Sequence, residues 1–436
     1  MMPQVANNNS RLSFHRLTHL LLVAILVFIP FQNLFSEVIN HRTPLSDSLV
    51  FWLSHWYEPV IIIFLILLLL KGSFLKKILT SYKLALFFLS LGLISVLAIH
   101  PSGIGRSLEG FRITCFAASF FLLGIESDRD LWRKLERQYI SIAVVVAVLA
   151  MVERSFPAGY WAASGLIAPG FGFGNFLVGQ WQRSVSIIGG PNQLASYLLP
   201  AFFLMLCNFR SRTDSGPTWK RIVLGIFLAI VFFAIVFTFS RAAIIGLLVG
   251  IIIYLLFFEQ SRKIKVAGLV ILVAMFVMAG LAFAKGNLGV RDFSLHGASQ
   301  GQHVQALAET WQEIKTRSVE KPVQLLLGGG LGTAGSLSVK YGNGLISESW
   351  YLQLLLEIGI VGLFAWLILI FFLLKNLLQS KSTGLFLGLT AVLVTSLFLH
   401  TFADNPAMAI TLFTLMGINS VKNQDPRPQS KTFNIF

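Results

Sequence analysis

Long apolar runs separated by short charged connections recur along the chain, and their length is the first thing to explain. A membrane-crossing helix needs about 20 mainly apolar residues, because a hydrocarbon core of roughly 30 Å must be spanned with every backbone N–H and C=O bonded within the segment. Runs of this kind fall at 17–36, 59–75, 82–100, 108–124, 139–155, 192–208, 221–239, 240–258, 266–284, 348–374, 384–402 and 407–421. The pattern predicts an all-α polytopic membrane protein of about twelve transmembrane helices. No small-residue cleavage site stands out after Val38, so the first run is expected to be retained as a span.

Two connections are long. The first, 156–190, is rich in glycine and in aromatic residues such as Tyr160, Trp161, Phe171 and Trp181, a composition suited to irregular backbone in the headgroup zone. The second, 285–347, lies between the ninth and tenth spans. Within it Val304, Leu307, Trp311 and Ile314 recur at helical spacing from His303 to Arg317, which predicts a short amphipathic helix resting on the membrane or the bundle. After Pro322 a glycine-rich run from Gly328 to Gly335 is expected to let backbone approach a ligand closely.

Composition agrees with the pattern. The chain is 55% hydrophobic and 12% charged, against about a quarter charged in soluble domains, and no polar stretch is long enough for a separate soluble core. Residues 1–436 therefore read as a single membrane domain. The net charge of +15 raises the question of nucleic acid, but the cations sit mainly in short inter-span loops, where they set topology and meet anionic lipid. One set of span ends carries 22 Lys and Arg against six on the short loops of the other set, which places the first set and both termini in the cytoplasm and the 285–347 loop outside. Cys115 and Cys207 fall inside spans, so no disulfide framework is implied.

Against this background Arg241 is the most informative residue. It follows Thr238-Phe239-Ser240 at a tight outer turn and begins a span with Ala242 and Ala243, small residues that let helices close together. A guanidinium at a helix N-terminus is an anion-binding arrangement; a snorkelling anchor is the equal alternative. Arg106, Arg112 and Arg183 map to the same side and would complete a diphosphate-binding cluster, or serve singly as interface anchors. Arg112 falls within a span and needs a partner, for which Glu109 is nearest in sequence. Glu348 opens the tenth span, where a carboxylate is either a helix cap or a chemical group. Asn192, after Gly189-Gly190-Pro191, is expected to cap the sixth span or to touch a ligand, and His303 is a solvated or capping residue of the loop helix. The Asp128-Arg129-Asp130 triplet sits in a short basic loop with no fold around it, the glycine run lacks the Gly-Lys-Ser/Thr of a phosphate loop, and no His, Cys and carboxylate grouping has metal-ligand spacing.

Taken together, Arg183 followed by Gly189-Gly190-Pro191-Asn192-Gln193-Leu194-Ala195, Ser240-Arg241-Ala242-Ala243 at a span start, the Leu327-to-Gly335 run and the start of the tenth span resemble the O-antigen ligase and polymerase family of bacterial membrane glycan-transfer proteins. The resemblance covers roughly 180–370. In the ligases the tenth span starts with His, then Asn, Ser or Gln, nine residues, Gly, two residues, Gly. Glu348, Ser349, Gly359 and Gly362 keep that spacing here, with Glu348 in place of histidine. The ligases also carry an arginine early in the large outer loop; none stands near Ser299 to His303, where His303 or Arg291 are the substitutes. The resemblance implies a bacterial inner-membrane enzyme that transfers a glycan from an undecaprenyl-diphosphate carrier to a glycan or lipid acceptor hydroxyl on the outer face, with no metal, nucleotide or other cofactor. Arg241 would stabilise the leaving diphosphate and Glu348 would be the base. The glutamate favours a polymerase over a ligase. The alternative class is a transporter of a solute or of inorganic carbon, for which charged or broken helices near the bilayer midplane are expected.

Overall fold

The computed structural model describes residues 8–42, 46–70, 72–98, 103–127, 131–157, 160, 177–178, 181–211, 218–270, 298–342 and 345–422. Apart from an antiparallel pair of two-residue strands, Leu177–Val178 with Trp181–Gln182, the described chain is helical. Five helices are long and apolar enough to cross a membrane: Leu17–Ser36, Leu131–Arg154, Thr218–Phe237, Arg241–Phe258 and Trp350–Gln379. Ile104–Thr114 and Phe116–Ile125, bent by 47° at Cys115, make a sixth if taken as one span. This is a membrane-embedded helical protein. Large apolar side chains such as Leu20, Trp219 and Phe371 are exposed along these helices, which suits lipid and would be unfavourable in water.

The sequence runs correspond to helices, with differences in length. Tyr57–Leu70, Lys83–Ala98, Thr383–Thr395 and Pro406–Val421 are apolar but only 10–17 residues long, short of a straight crossing. The run expected at 266–284 lies outside the described residues beyond position 270, as does most of the aromatic loop, 161–176. In the large loop the amphipathic helix is longer than expected, Ala298–Glu320, and Val304, Leu307 and Trp311 are exposed and do not rest on the bundle.

Small residues set the closest helix approaches. A methyl group added at Gly246 would stand 2.4 Å from the Ala391 carbonyl oxygen, and one at Gly388 would stand 2.7 Å from the Pro200 Cα. Pro191–Ser211, Arg241–Ile253 and Thr383–Thr395 are thereby drawn into one tight group, the behaviour expected of small residues at helix contacts in lipid. Beside this group the rings of Trp350, Trp366, Phe402 and Phe413 pack edge-on or tilted, with centroids 5.0–6.2 Å apart.

The glycine run contacts backbone where a ligand was expected. The Trp350–Gln379 helix breaks at Gly359 (φ 69°, ψ −172°), and the carbonyls freed there accept from the run: Gly329 N–H to Leu356 O at 2.8 Å and Gly330 N–H to Glu357 O at 3.0 Å. A Cβ on Gly328 would lie 2.1 Å from the Glu357 carbonyl, and one on Gly359 would lie 2.3 Å from that of Leu326, so both positions need glycine. The fully buried Glu357 carboxylate finishes the joint by accepting from Thr114 Oγ1 (2.9 Å), Gly332 N–H (3.1 Å) and Gln353 Nε2 (3.3 Å). Arg317, buried at the end of the loop helix, donates to Leu356 O at 2.7 Å and pairs with Glu313 at 2.8 Å. The large loop is thus clamped to the break.

Candidate functional site

Four helix ends meet around one cavity of about 310 Å³, bordered by Asn192 and Gln193, by Ser336, by Glu348, and by His400, Asp404 and Asn405. Its volume is at the lower end of small-ligand sites. Each wall has a local cause. The turn before the helix needs glycine at Gly189, which has φ 99°; Pro191 then starts the helix with its fixed φ and no wasted donor. Gly190 accepts the first helical bond, from Leu194 N–H at 2.8 Å, so the helix is not capped by Asn192. Its Oδ1 instead accepts from the Arg183 guanidinium at 3.1 Å.

Arg183 is fixed from behind. Its Nε donates to Thr238 O at 2.7 Å, and Ser184 N–H bonds Phe237 O at 2.9 Å, which ties the residue to the turn before Arg241. Glu153, fully buried, accepts from the Val185 and Ser186 amides at 2.9 and 2.7 Å and holds the same loop from the other side. Phe239 makes the turn with φ 51°, and Arg241 is the exposed first residue of its helix. Burial, with the Arg241 guanidinium nearby, pushes Arg183 down to about 10. No carboxylate among the described residues pairs with either arginine. Two neighbouring cations, one of them bonded to the cavity residue Asn192, are relieved by an anion bound between them.

Glu348 does not cap the tenth-span helix. The helix begins at Trp350 behind Ser349, and Glu348 stands before it in left-handed backbone, φ 54°. Such a conformation costs about 1–2 kcal/mol for a residue with a side chain, and it turns Glu348 into the cavity wall. Facing it are residues that sequence reasoning passed over. His400 is buried; its Nε2 lies 3.0 Å from Ser347 Oγ, and its Nδ1 lies 3.7 Å from Asp404 Oδ2. Ser347 Oγ also donates to Ser349 O at 3.2 Å, so the hydroxyl sits between that carbonyl and the His400 ring. Asp404 also accepts from Ser336 Oγ at 2.7 Å, and Asn405 donates to Gln193 O at 2.6 Å and to Ser196 Oγ at 2.8 Å. The signal available was a histidine inside an apparently apolar run, 384–402, since an ionisable residue at membrane depth marks function by default.

The expected four-arginine cluster divides. Arg183 bonds Asn192 and lies beside Arg241, while Arg106 and Arg112 do not join them. Arg106 is buried, donates from Nε to Gly332 O at 2.8 Å and lies 5.3 Å over the Tyr341 ring, serving the glycine run. Arg112 pairs with Glu58 at 3.2 Å, closer than the expected partner Glu109 at 3.8 Å, and sits 5.5 Å over the Phe51 ring. It borders a second cavity of about 250 Å³, with Gln32, His55 and Glu58, that shares Ser336 and Asp404 with the first. His303 lies in the Ala298–Glu320 helix with its side chain outside the described set, and Arg291 lies outside the described residues. The chain matches no protein-family model and no curated protein sequence.

Proposed function

We propose that the chain is a glycan transferase of the bacterial inner membrane that uses an undecaprenyl-diphosphate-linked glycan as donor and a sugar hydroxyl as acceptor, acting as a polymerase. The observation that carries this reading is that Glu348 and Asn192 border one cavity, with Asn192 accepting from Arg183 and Arg183 lying beside Arg241. In the reaction the acceptor oxygen bonds the anomeric carbon while the bond from that carbon to the phosphate oxygen breaks. The acceptor proton passes to the Glu348 carboxylate, and charge developing on the departing diphosphate is stabilised by Arg241 and Arg183. His400, held by Ser347 and Asp404, faces the same space and is the second group able to take that proton. The finer topology belongs to this reading: about twelve crossings, both termini in the cytoplasm, and the 285–347 loop with the cavity on the outer face.

The test is transfer by purified protein in nanodiscs given a polyprenyl-diphosphate oligosaccharide. Longer glycan is the expected product. Arg241→Ala should weaken donor binding and slow transfer, and Arg241→Lys should restore part of both, because it keeps the charge but loses the two-pronged guanidinium. Solute flux in liposomes with no glycan product from several donors would overturn the proposal in favour of a transporter.

A further inference from the structure

The helices that meet at the candidate site also meet at their other ends. Pro191–Ser211 runs from Asn192 to Cys207 and Arg210, the Arg241–Phe258 span runs from Arg241 to Tyr254 and Phe257, and Trp350–Gln379 runs from just after Glu348 to Leu377 and Leu378. At those far ends lies a cavity of about 460 Å³, larger than the candidate site and lined by Arg210, Tyr254, Phe257, Leu378 and Lys381 among others. The 18-residue Arg241–Phe258 span is roughly 27 Å long at 1.5 Å per residue, about the thickness of a hydrocarbon core.

This second cavity is built around two cations. Glu259, almost completely buried, pairs with Arg210 at 3.2 Å and is itself held by Ser261 N–H at 2.8 Å and the Tyr254 hydroxyl at 3.1 Å, so the guanidinium is fixed at the mouth. Tyr254–Phe258 is a π-helical turn, a widening that costs regular hydrogen bonding and recurs at functional sites. Lys381 follows the long helix in left-handed backbone, φ 56°, a position where glycine would be free of strain. It pairs with no carboxylate among the described residues. Directly beside these cations the walls are apolar and open: Phe257 is 75% exposed and Leu378 48% exposed. A guanidinium held by Glu259 and the Lys381 ammonium beside an apolar slot match one chemistry, a phosphate with a hydrocarbon chain attached.

We propose that this cavity binds an anionic phospholipid, its phosphate between Arg210 and Lys381 and an acyl chain along Phe257 and Leu378. The experiment is native mass spectrometry of the full chain released from nanodiscs of phosphatidylcholine with phosphatidylglycerol. Wild type should retain phosphatidylglycerol in preference to phosphatidylcholine. Lys381→Gly removes the cation and relieves the backbone strain, so the variant folds, and its retention should fall about tenfold, the loss of one charge-assisted contact. Arg210→Lys keeps a charge opposite Glu259 but loses the fork and should fall less. Equal retention by wild type and Lys381→Gly overturns the proposal, and so does equal retention of the two lipids. Displacement of the lipid by inorganic phosphate alone overturns it as well, because it would show a site for the free anion.

Discussion

Glu348 carries two separable properties, a strained backbone and a carboxylate, and two substitutions part them. At φ 54° the native residue forgoes about 1–2 kcal/mol that glycine would not. Glycine returns part of this by its larger freedom in the unfolded chain, about 0.4–1 kcal/mol, so Glu348→Gly should be more stable by roughly 0.5–1 kcal/mol. Glu348→Gln keeps the backbone strain and the side-chain volume, and its stability should stay within about 0.5 kcal/mol of wild type. Under the proposed transfer both variants would lose the proton acceptor, and turnover at saturating donor should fall by about 10²–10⁴-fold. Unfolding by denaturing detergent in mixed micelles reads the first quantity, and product formation at saturating donor reads the second. A stabilised, inactive Glu348→Gly would mean that the strain is maintained for chemistry. Loss of stability in Glu348→Gly would show that the side chain holds the loop, and near-normal turnover in Glu348→Gln would remove it as the base, leaving His400 to be tested by the same assay.

Three further outcomes follow from other parts of the structure. Gly359→Ala forces a side chain into backbone that only glycine adopts, with its Cβ 2.3 Å from Leu326 O, and should cost about 3 kcal/mol or more, seen as a lower unfolding midpoint and as protease cleavage within 321–342. His55 is held at about 4, chiefly by burial and then by Arg112, so the unfolded chain takes up its proton first as pH falls from about 6.5 to 4. Stability should drop by something on the order of 1–2 kcal/mol across that window and be flatter in His55→Gln, as an unfolding series against pH would record. For topology, single cysteines at Lys321 and Lys263, in a background without Cys115 and Cys207, should differ toward an impermeant thiol reagent in intact cells, and stronger labelling at Lys263 would reverse the orientation.

The parts of the fold that could be read from sequence are those set by local physics. The Thr238-to-Ser240 turn, the glycine–proline start before Asn192 and the small-residue face of the helix after Arg241 each follow from residue type and spacing within a few positions, and each is present. What escaped depends on neighbours remote in sequence. Arg106 and Arg112 share a predicted side with Arg183, yet their partners are Gly332 and Glu58, and a loop assignment carries no information about which distant segment packs there. The glycine run looked like a ligand approach because close backbone contact demands glycine whatever the second surface is; here that surface is the broken helix. His400 was hidden because a hydropathy window averages one imidazole away among leucines and phenylalanines, although the helix has already ended at Thr395.

The break at Gly359 also acts as a gauge of thickness. From Ile360 to Gln379 the long helix has 20 residues, roughly 30 Å at 1.5 Å per residue, close to the roughly 27 Å of the 18-residue Arg241–Phe258 span. The residues before the break form a ledge on which the glycine run and the loop helix are seated, through the Leu356 and Glu357 carbonyls. The chain thus carries two rods of nearly equal length, each about as long as a hydrocarbon core is thick, and Glu348, Asn192 and His400 all lie outside both of them.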